Sequence, residues 1–266
     1  MTECTAPNKV SKMSEVATYP SLKDKTVIIT GGGSGIGASL TTHFARQGCK
    51  VGFLDIADEA SITLETELNS DGCTVKYFRC DITDTKALQT VIDELRATFG
   101  PVGILINNAA HDQRHKFEDI TPEYWDERFA INIKHQFFAA QAVLEDMKSI
   151  GGGSIINMGS TSWMIGNGGM ACYTAAKSAV LGLTRSLAQD FGPFNIRVNS
   201  IAPGWIMTQR QKELWLTPEG EADIFKNQCL KRFLVPDDIA RPVLFFASDE
   251  SAACTNQNYV VDGGWL

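Results

Sequence analysis

A doubly wound α/β fold, a parallel sheet with helices on both faces, is what this sequence predicts. Three observations carry the prediction. β-branched runs alternate with helix-patterned stretches, a glycine-rich turn joins the first strand to the first helix, and no repeat or low-complexity tract interrupts residues 22–266. With 266 residues, 44% of them hydrophobic and 21% charged, the chain can build one large core, and nothing inside it marks a second domain.

The elements follow in order. Thr26–Thr30 (TVIIT) is a short β-branched strand, and a helix runs from the glycine turn to about Gln47. Lys50–Asp55 (KVGFLD) is the second strand. Between Asp84 and Phe99, Ala87, Leu88, Val91, Ile92 and Leu95 recur at helical spacing, and Gly100-Pro101 ends the run. Val102–Asn107 and Ser154–Met158 read as buried strands. Thr121-Pro122 supplies a cap and a first-turn proline for a helix predicted to reach about Lys148; a second long helix is predicted from about Tyr173 to Phe191, before Gly192-Pro193. The strand Ile196–Ile201, a less regular section, a helix after Pro236 and the strand Asn258–Val261 complete the chain. Helices of this length between strands impose right-handed crossovers and hence parallel pairing. Residues 1–21 read as a flexible N-terminal tail, without the apolar stretch of a secretory signal, leading into a single domain over 22–266.

Composition narrows the function. A net charge of −7 repels phosphate backbones and anionic lipid, so neither nucleic acid nor a membrane is an expected partner. No apolar run approaches the ~18 residues that span a bilayer. The seven cysteines are odd in number, scattered and without a CxxC pair, which argues against a disulfide framework or a metal site and suits a reducing, cytoplasmic setting. Cys172, beside Tyr173, reads as a small apolar residue, since all four histidines lie far from it in sequence.

Gly31, Ser34, Gly35, Ile36 and Gly37 belong to the turn TGGGSGIG. Glycines there let the backbone approach a pyrophosphate, and the helix N-terminus offers N–H groups and a positive dipole. Asp55 ends the second strand, where a carboxylate accepts from a ribose 2′-hydroxyl and repels a 2′-phosphate. Ile56 and Ala57 follow it, with no basic residue, so NAD is favoured over NADP. Asp81-Ile82 and Asn107-Asn108-Ala109-Ala110 follow the third and fourth strands on the same carboxyl edge.

Tyr173 and Lys177 stand four apart near the start of a helix, hence on one face. A phenol near pKa ~10 is a poor base at neutral pH, and a neighbouring ammonium together with a nicotinamide cation is expected to favour its phenolate. Taken alone, such a pair is a commonplace helix surface feature.

The set TGGGSGIG, Asp81, NNAA, Asn132, Ser160, Tyr173-Thr174-Ala175-Ala176-Lys177, Pro203-Gly204 and Asp262-Gly263-Gly264 resembles the short-chain dehydrogenase/reductase family from about Leu22 to the C-terminus. Ala110, where the family often has glycine, is a small departure. The resemblance implies Tyr173 as general acid/base, Lys177 as its partner and a holder of the nicotinamide ribose, Ser160 bonded to the reacting oxygen, and Asn132 supporting a water in the proton path. It also implies that Asn108, Ala109, Pro203, Gly204, Ile206 and Thr208 contact the cofactor, and that the chain assembles as a homotetramer or a dimer through its two long helices.

Substrate choice is expected in the loop His111-Asp112-Gln113-Arg114-His115, in the segment holding Ser162, Trp163 and Asn167, and in the segment with Trp205, Gln209, Arg210 and Trp215. Donors, acceptors and flat indoles suit a polyhydroxylated ligand; Trp215 also reads as core, and Arg114 or Arg210 as a surface charge. YPSLKDK, FLDIADE, the DQRHKFEDIT stretch with YWDER, and the WLTPEGEADI region look like bacterial aldose 1-dehydrogenases of the D-xylose type. They imply oxidation of an anomeric hydroxyl to a lactone. A 3-oxoacyl thioester or other carbonyl reductase, another secondary-alcohol dehydrogenase, and a non-catalytic dinucleotide sensor are the competing readings.

Overall fold

Alternation inside the first strand already fixes two faces: Val27 and Ile29 join one apolar cluster, and Ile28 between them joins the other. The structure, a computed structural model, describes residues 17–266. Among these, β1 (Thr26–Thr30), β2 (Lys50–Asp55), β3 (Thr74–Arg79), β4 (Val102–Asn107), β5 (Gly153–Met158), β6 (Ile196–Pro203) and β7 (Asn258–Val261) form one parallel sheet, in the order β3-β2-β1-β4-β5-β6-β7. Every neighbouring pair is parallel, with Thr30 level with Leu54 and Met158 level with Ile201. This is the doubly wound sheet that the strand–helix alternation predicts.

The helices are α1 (Gly35–Arg46), α2 (Asp58–Ser70), α3 (Thr85–Phe99), α4 (Pro122–Phe129), α5 (His135–Ser149), α6 (Ala171–Phe191), α7 (Gln209–Leu214), α8 (Pro218–Asn227) and α9 (Pro236–Ala247). Leu40 and Phe44 of α1 pack with Ile239, Val243 and Leu244 of α9 on one face of the sheet. Leu88, Ile92 and Leu95 of α3 pack with Ala139, Val143 and Met147 of α5 and Leu187 of α6 on the other. Both layers are closed, so a ligand is left the carboxyl edge of the strands.

Two expectations need correction, and one helix, α2, was not expected. The helix predicted from Thr121-Pro122 to Lys148 is interrupted by a π-turn over Ala130–Lys134. There the Asn132 Nδ2 donates to the Arg128 carbonyl at 2.9 Å, taking the acceptor that an unbroken α-helix would give to its own backbone. The less regular section after β6 holds α7 and α8, which are short and individually capped by Thr208 and Thr217. α2 carries no apolar stripe strong enough to announce it, and only Ser61 and Leu68 of it are buried. The tail expected over residues 1–21 falls mostly on residues 1–16, outside the described residues. From Ala17 the chain is tied down, with Gln47 accepting from the Tyr19 N–H and donating to the Ala17 carbonyl, both at 2.9 Å.

Candidate active site

β1 and β4 lie side by side where the strand order reverses, so their following segments diverge and open a crevice. Thr30 fastens its floor. Its Oγ1 accepts from the N–H groups of Asn108 and Ala109 at 3.0 Å, while Asn108 Nδ2 donates to the carbonyls of Thr30 at 3.0 Å and Gly31 at 2.8 Å. Gly37 has no room for a side chain, since a Cβ would stand 1.7 Å from the Gly31 oxygen; Gly31 itself has φ +65° and faces Ala109. The turn therefore lies flat on the NNAA segment. Ser34, the N-cap of α1, makes no side-chain cap bond and is exposed, so the first amides of that helix are available to a phosphate. Ile36 anchors the same turn against the core.

The Asp55 carboxylate is held by backbone donors: Gly33 at 2.9 Å, Ile56 at 2.8 Å and Ala57 at 3.0 Å. A carboxylate offers about four acceptor positions, so one remains for a ribose hydroxyl. The Ser61 hydroxyl, buried without a partner, lies against Gly33 on the same turn. Asp81 accepts from the N–H and hydroxyl of Thr83 at 2.9 and 2.7 Å, and Ile82 is buried beside it. Thr208 reaches over the turn, 3.2 Å from where a Cβ on Gly35 would be, and Gly204 is pinned by its N–H to the Val261 carbonyl at 2.9 Å, next to Pro203 at the end of β6. The Ile206 side chain is in the core, which leaves its backbone as the part free to meet a ligand. A cradle that side chains would fill, an orphaned hydroxyl and a partly free carboxylate together fit a dinucleotide.

The candidate catalytic groups converge at the ends of β4 and β5. α6 begins at Ala171, two residues before the predicted start, and puts Tyr173 and Lys177 in successive turns, with the Lys177 Nζ 5.8 Å from the Tyr173 ring centre. Lys177 is 2% exposed and donates to the Met158 carbonyl at 2.7 Å. Ser160 hydrogen-bonds the Tyr173 side chain and donates to Ser162 Oγ at 2.9 Å, while the Ser162 N–H donates back to it at 3.1 Å. Asn132 is fully buried and brackets His111: its Oδ1 accepts from the His111 N–H at 2.9 Å and its Nδ2 donates to the His111 carbonyl at 3.2 Å.

The protonation of the pair differs from the sequence expectation. Burial pushes the Tyr173 phenol up to about 12, with the Asp112 carboxylate adding to it and Ser160 and Arg114 opposing. Burial also brings Lys177 down to about 7, although Asp112 favours its ammonium. The expectation that the ammonium lowers the phenol is thus outweighed by desolvation of both groups. The cationic ring of an oxidised nicotinamide is the kind of charge that would tip the phenol back.

Three loops frame the opening. His115 donates its N–H to the Gly169 carbonyl at 2.8 Å, joining the segment after β4 to the segment before α6. Arg114 stacks 5.2 Å from the Trp215 ring, and Arg210 and Gln211 reach Asp112, so neither arginine is a free surface charge. Arg128 donates to His111 Nδ1 at 2.6 Å; because a guanidinium only donates, His111 is neutral with its proton on Nε2. Trp205, Trp215 and Arg210 each keep a buried donor without a partner. Trp163 is half-buried, and Asn167 is exposed at the rim, its N–H on the Ser162 carbonyl. Sequence reasoning passed over Arg128, His135 and Gln211, whose contacts are long-range and leave no local pattern. Cys172 is buried and its thiol pushed up by burial, as suits a packing role. Among the described residues no cluster of metal-ligating side chains occurs and no helix is long and apolar enough to cross a membrane.

Comparison with known proteins agrees with this geometry. A family model described as enoyl-(acyl carrier protein) reductase matches residues 31–266. D-xylose 1-dehydrogenase of Caulobacter vibrioides is 51% identical over 249 residues, covering 94% of this chain and 98% of the relative. "Probable galactose dehydrogenase" of Rhizobium meliloti is 47% identical, covering 92% and 96%. The solved structure of a 7α-hydroxysteroid dehydrogenase complexed with NADH and 7-oxo glycochenodeoxycholic acid superposes with a TM-score of 0.88 at 34% identity, covering 92% and 96%. With the sheet order, the glycine turn and the Tyr173–Lys177 pair all in place, the chain belongs to the short-chain dehydrogenase/reductase family of oxidoreductases.

Proposed function

We propose that this enzyme is an NAD-dependent aldose 1-dehydrogenase, which oxidises the anomeric hydroxyl of a pentose or hexose such as D-xylose, L-arabinose or D-galactose to the aldonolactone. The observation that carries this reading is the pair of unpartnered buried donors on Trp215 and Arg210, whose neighbours Arg114 and Asp112 both act on Tyr173; Trp205 keeps a third such donor. Buried donors without partners are costly, and a ligand rich in hydroxyl oxygens supplies the partners. The identity to D-xylose 1-dehydrogenase and to the galactose dehydrogenase, each over nine-tenths of the chain, supports the same substrate class.

Ser160 holds the anomeric oxygen and Tyr173 accepts its proton as the C1–H bond breaks. Lys177 holds the nicotinamide ribose and stabilises the phenolate, and the Asn132 turn fixes the His111 backbone beside them. A bound nicotinamide supplies the hydride acceptor, so the hemiacetal loses one proton and one hydride and becomes the lactone. The Asp55 carboxylate, held by three N–H groups, supports NAD over NADP, because a 2′-phosphate beside it is repelled. A homotetramer, with the dimer as the alternative, is the expected assembly, and a cytoplasmic setting suits the unpaired cysteines.

NADH formation followed across D-xylose, L-arabinose, D-galactose, L-fucose and D-glucose, each with NAD and with NADP, tests the reading. Turnover of one or two sugars with NAD is expected. Turnover of simple secondary alcohols or of 3-oxoacyl thioesters, with none on any sugar, would discard it.

A further inference from the structure

The loop after β4 and the first turn of α7 meet directly beside the catalytic groups. Gln211 Nε2 donates to one oxygen of Asp112 at 2.7 Å, and Arg210 Nε lies 3.4 Å from the other. The Asp112 side chain is 17% exposed, and a carboxylate so far withdrawn from water needs partners. They come from residues nearly a hundred positions away. α7 spans only Gln209–Leu214, and a helix that short does not hold its place unaided. Asp112 is therefore a tether for α7.

The same carboxylate acts on both catalytic groups, favouring the neutral phenol of Tyr173 and the ammonium of Lys177. Other groups face them from each packed element. Arg114 and Ser160 act on Tyr173 in the opposite sense to Asp112, and His135 lies near Lys177 but is kept neutral by burial. His111, pressed by burial and by Arg210 and Arg128, is held neutral as well.

We propose that Asp112 is a positioning residue for the reaction: through Gln211 and Arg210 it pins α7 beside the site, and it holds a negative charge on the side of the Tyr173–Lys177 pair. The proposal rests on Tyr173 being the base.

Asp112→Asn keeps the size of the side chain and an acceptor for Gln211 but removes the charge. Without that charge both Tyr173 and Lys177 give up protons at lower pH, so the whole kcat/KM profile for sugar oxidation is expected to slide toward acid by about half a pH unit or more. Gln211→Leu breaks the stronger tether and keeps the charge; it is expected to raise the sugar KM about three- to tenfold with kcat little changed and the profile where it was. A folded Asp112→Asn enzyme whose profile does not move, or a Gln211→Leu enzyme with unaltered KM, overturns the proposal. Tyr173→Phe separates the two readings: activity surviving in that variant refutes the base assignment itself, while an inactive Tyr173→Phe beside an unmoved Asp112→Asn profile refutes only the role of Asp112.

Discussion

Tyr173, the proposed base, is held in its acid form. With its phenol pushed up to about 12, the phenolate is scarce at neutral pH, and oxidation needs the phenolate while the reverse reduction needs the phenol. The kcat/KM for oxidation should accordingly climb from neutral into alkaline pH, while reduction of the lactone or a ketone should stay flat over that range and fall only as the pH nears 12; a steady-state pH series in both directions checks the contrast. Tyr173→Phe is expected to lower kcat by about 100-fold or more while dinucleotide binding, read by fluorescence quenching, persists. At Asp55 the expectation concerns choice rather than rate. Asp55→Ser removes the negative charge but leaves the Gly33, Ile56 and Ala57 N–H groups aimed at the same spot, an arrangement suited to a phosphate. The ratio of kcat/KM for NAD over NADP should fall by at least about tenfold, and an unchanged ratio would remove Asp55 from cofactor selection.

The π-turn between α4 and α5 is the element that most directly couples fold to site. Asn132 joins three strands of logic there: it takes the Arg128 carbonyl, clamps the His111 backbone from both sides, and gives its own carbonyl to Gln136 Nε2 at 3.4 Å. Asn132→Ala leaves a buried carbonyl and N–H unpaired, at a cost of about 1–3 kcal/mol. The melting temperature should then drop by about 2–4 °C per kcal/mol, with kcat falling alongside it; loss of activity without thermal destabilisation would deny the structural clamp. What the sequence made legible at this scale was whatever depends on local spacing. TVIIT, the apolar residues of α3, and the Tyr173–Lys177 interval announce strand, helix and shared face because each signal lies within one turn or one strand. The Arg128–His111 bond, the Asn132 clamp on the His111 backbone and the Asp112–Gln211 tether join residues 17, 21 and 99 positions apart, beyond the reach of any one turn or strand.

For the whole molecule, the parallel sheet brings the segments after β1, β2, β4 and β5 to one edge, and the family motifs in the sequence name most of the candidate residues on them. The raised phenol and the lowered lysine were not legible, because desolvation is a property of the assembled layers and not of four residues in a row. His135 shows the thermodynamic side of that burial. Fully enclosed and near Lys177, its imidazole is driven from 6.5 down to about 3. A folded-state value below the unfolded one means the contribution is intact above pH 6.5 and is lost as the pH falls toward 3, since the unfolded chain takes the proton first. Stability should therefore decline in that window with a slope of up to about 1.4 kcal/mol per pH unit from this group alone. Denaturant melts at several pH values should show it, and His135→Gln, which does not titrate, should flatten that part of the slope.

Lys177 carries a consequence of another kind. An amine with a pKa of about 7 is unprotonated roughly half the time at neutral pH, and the free amine is the form that condenses with aldehydes. Reducing sugars, the proposed substrates, are aldehydes whenever their rings open, so the enzyme works amid its own glycating agent. The lysine most open to that damage on grounds of basicity is also 2% exposed and already donating to the Met158 carbonyl. The enclosure that makes the amine reactive also shields it from sugar in bulk solvent.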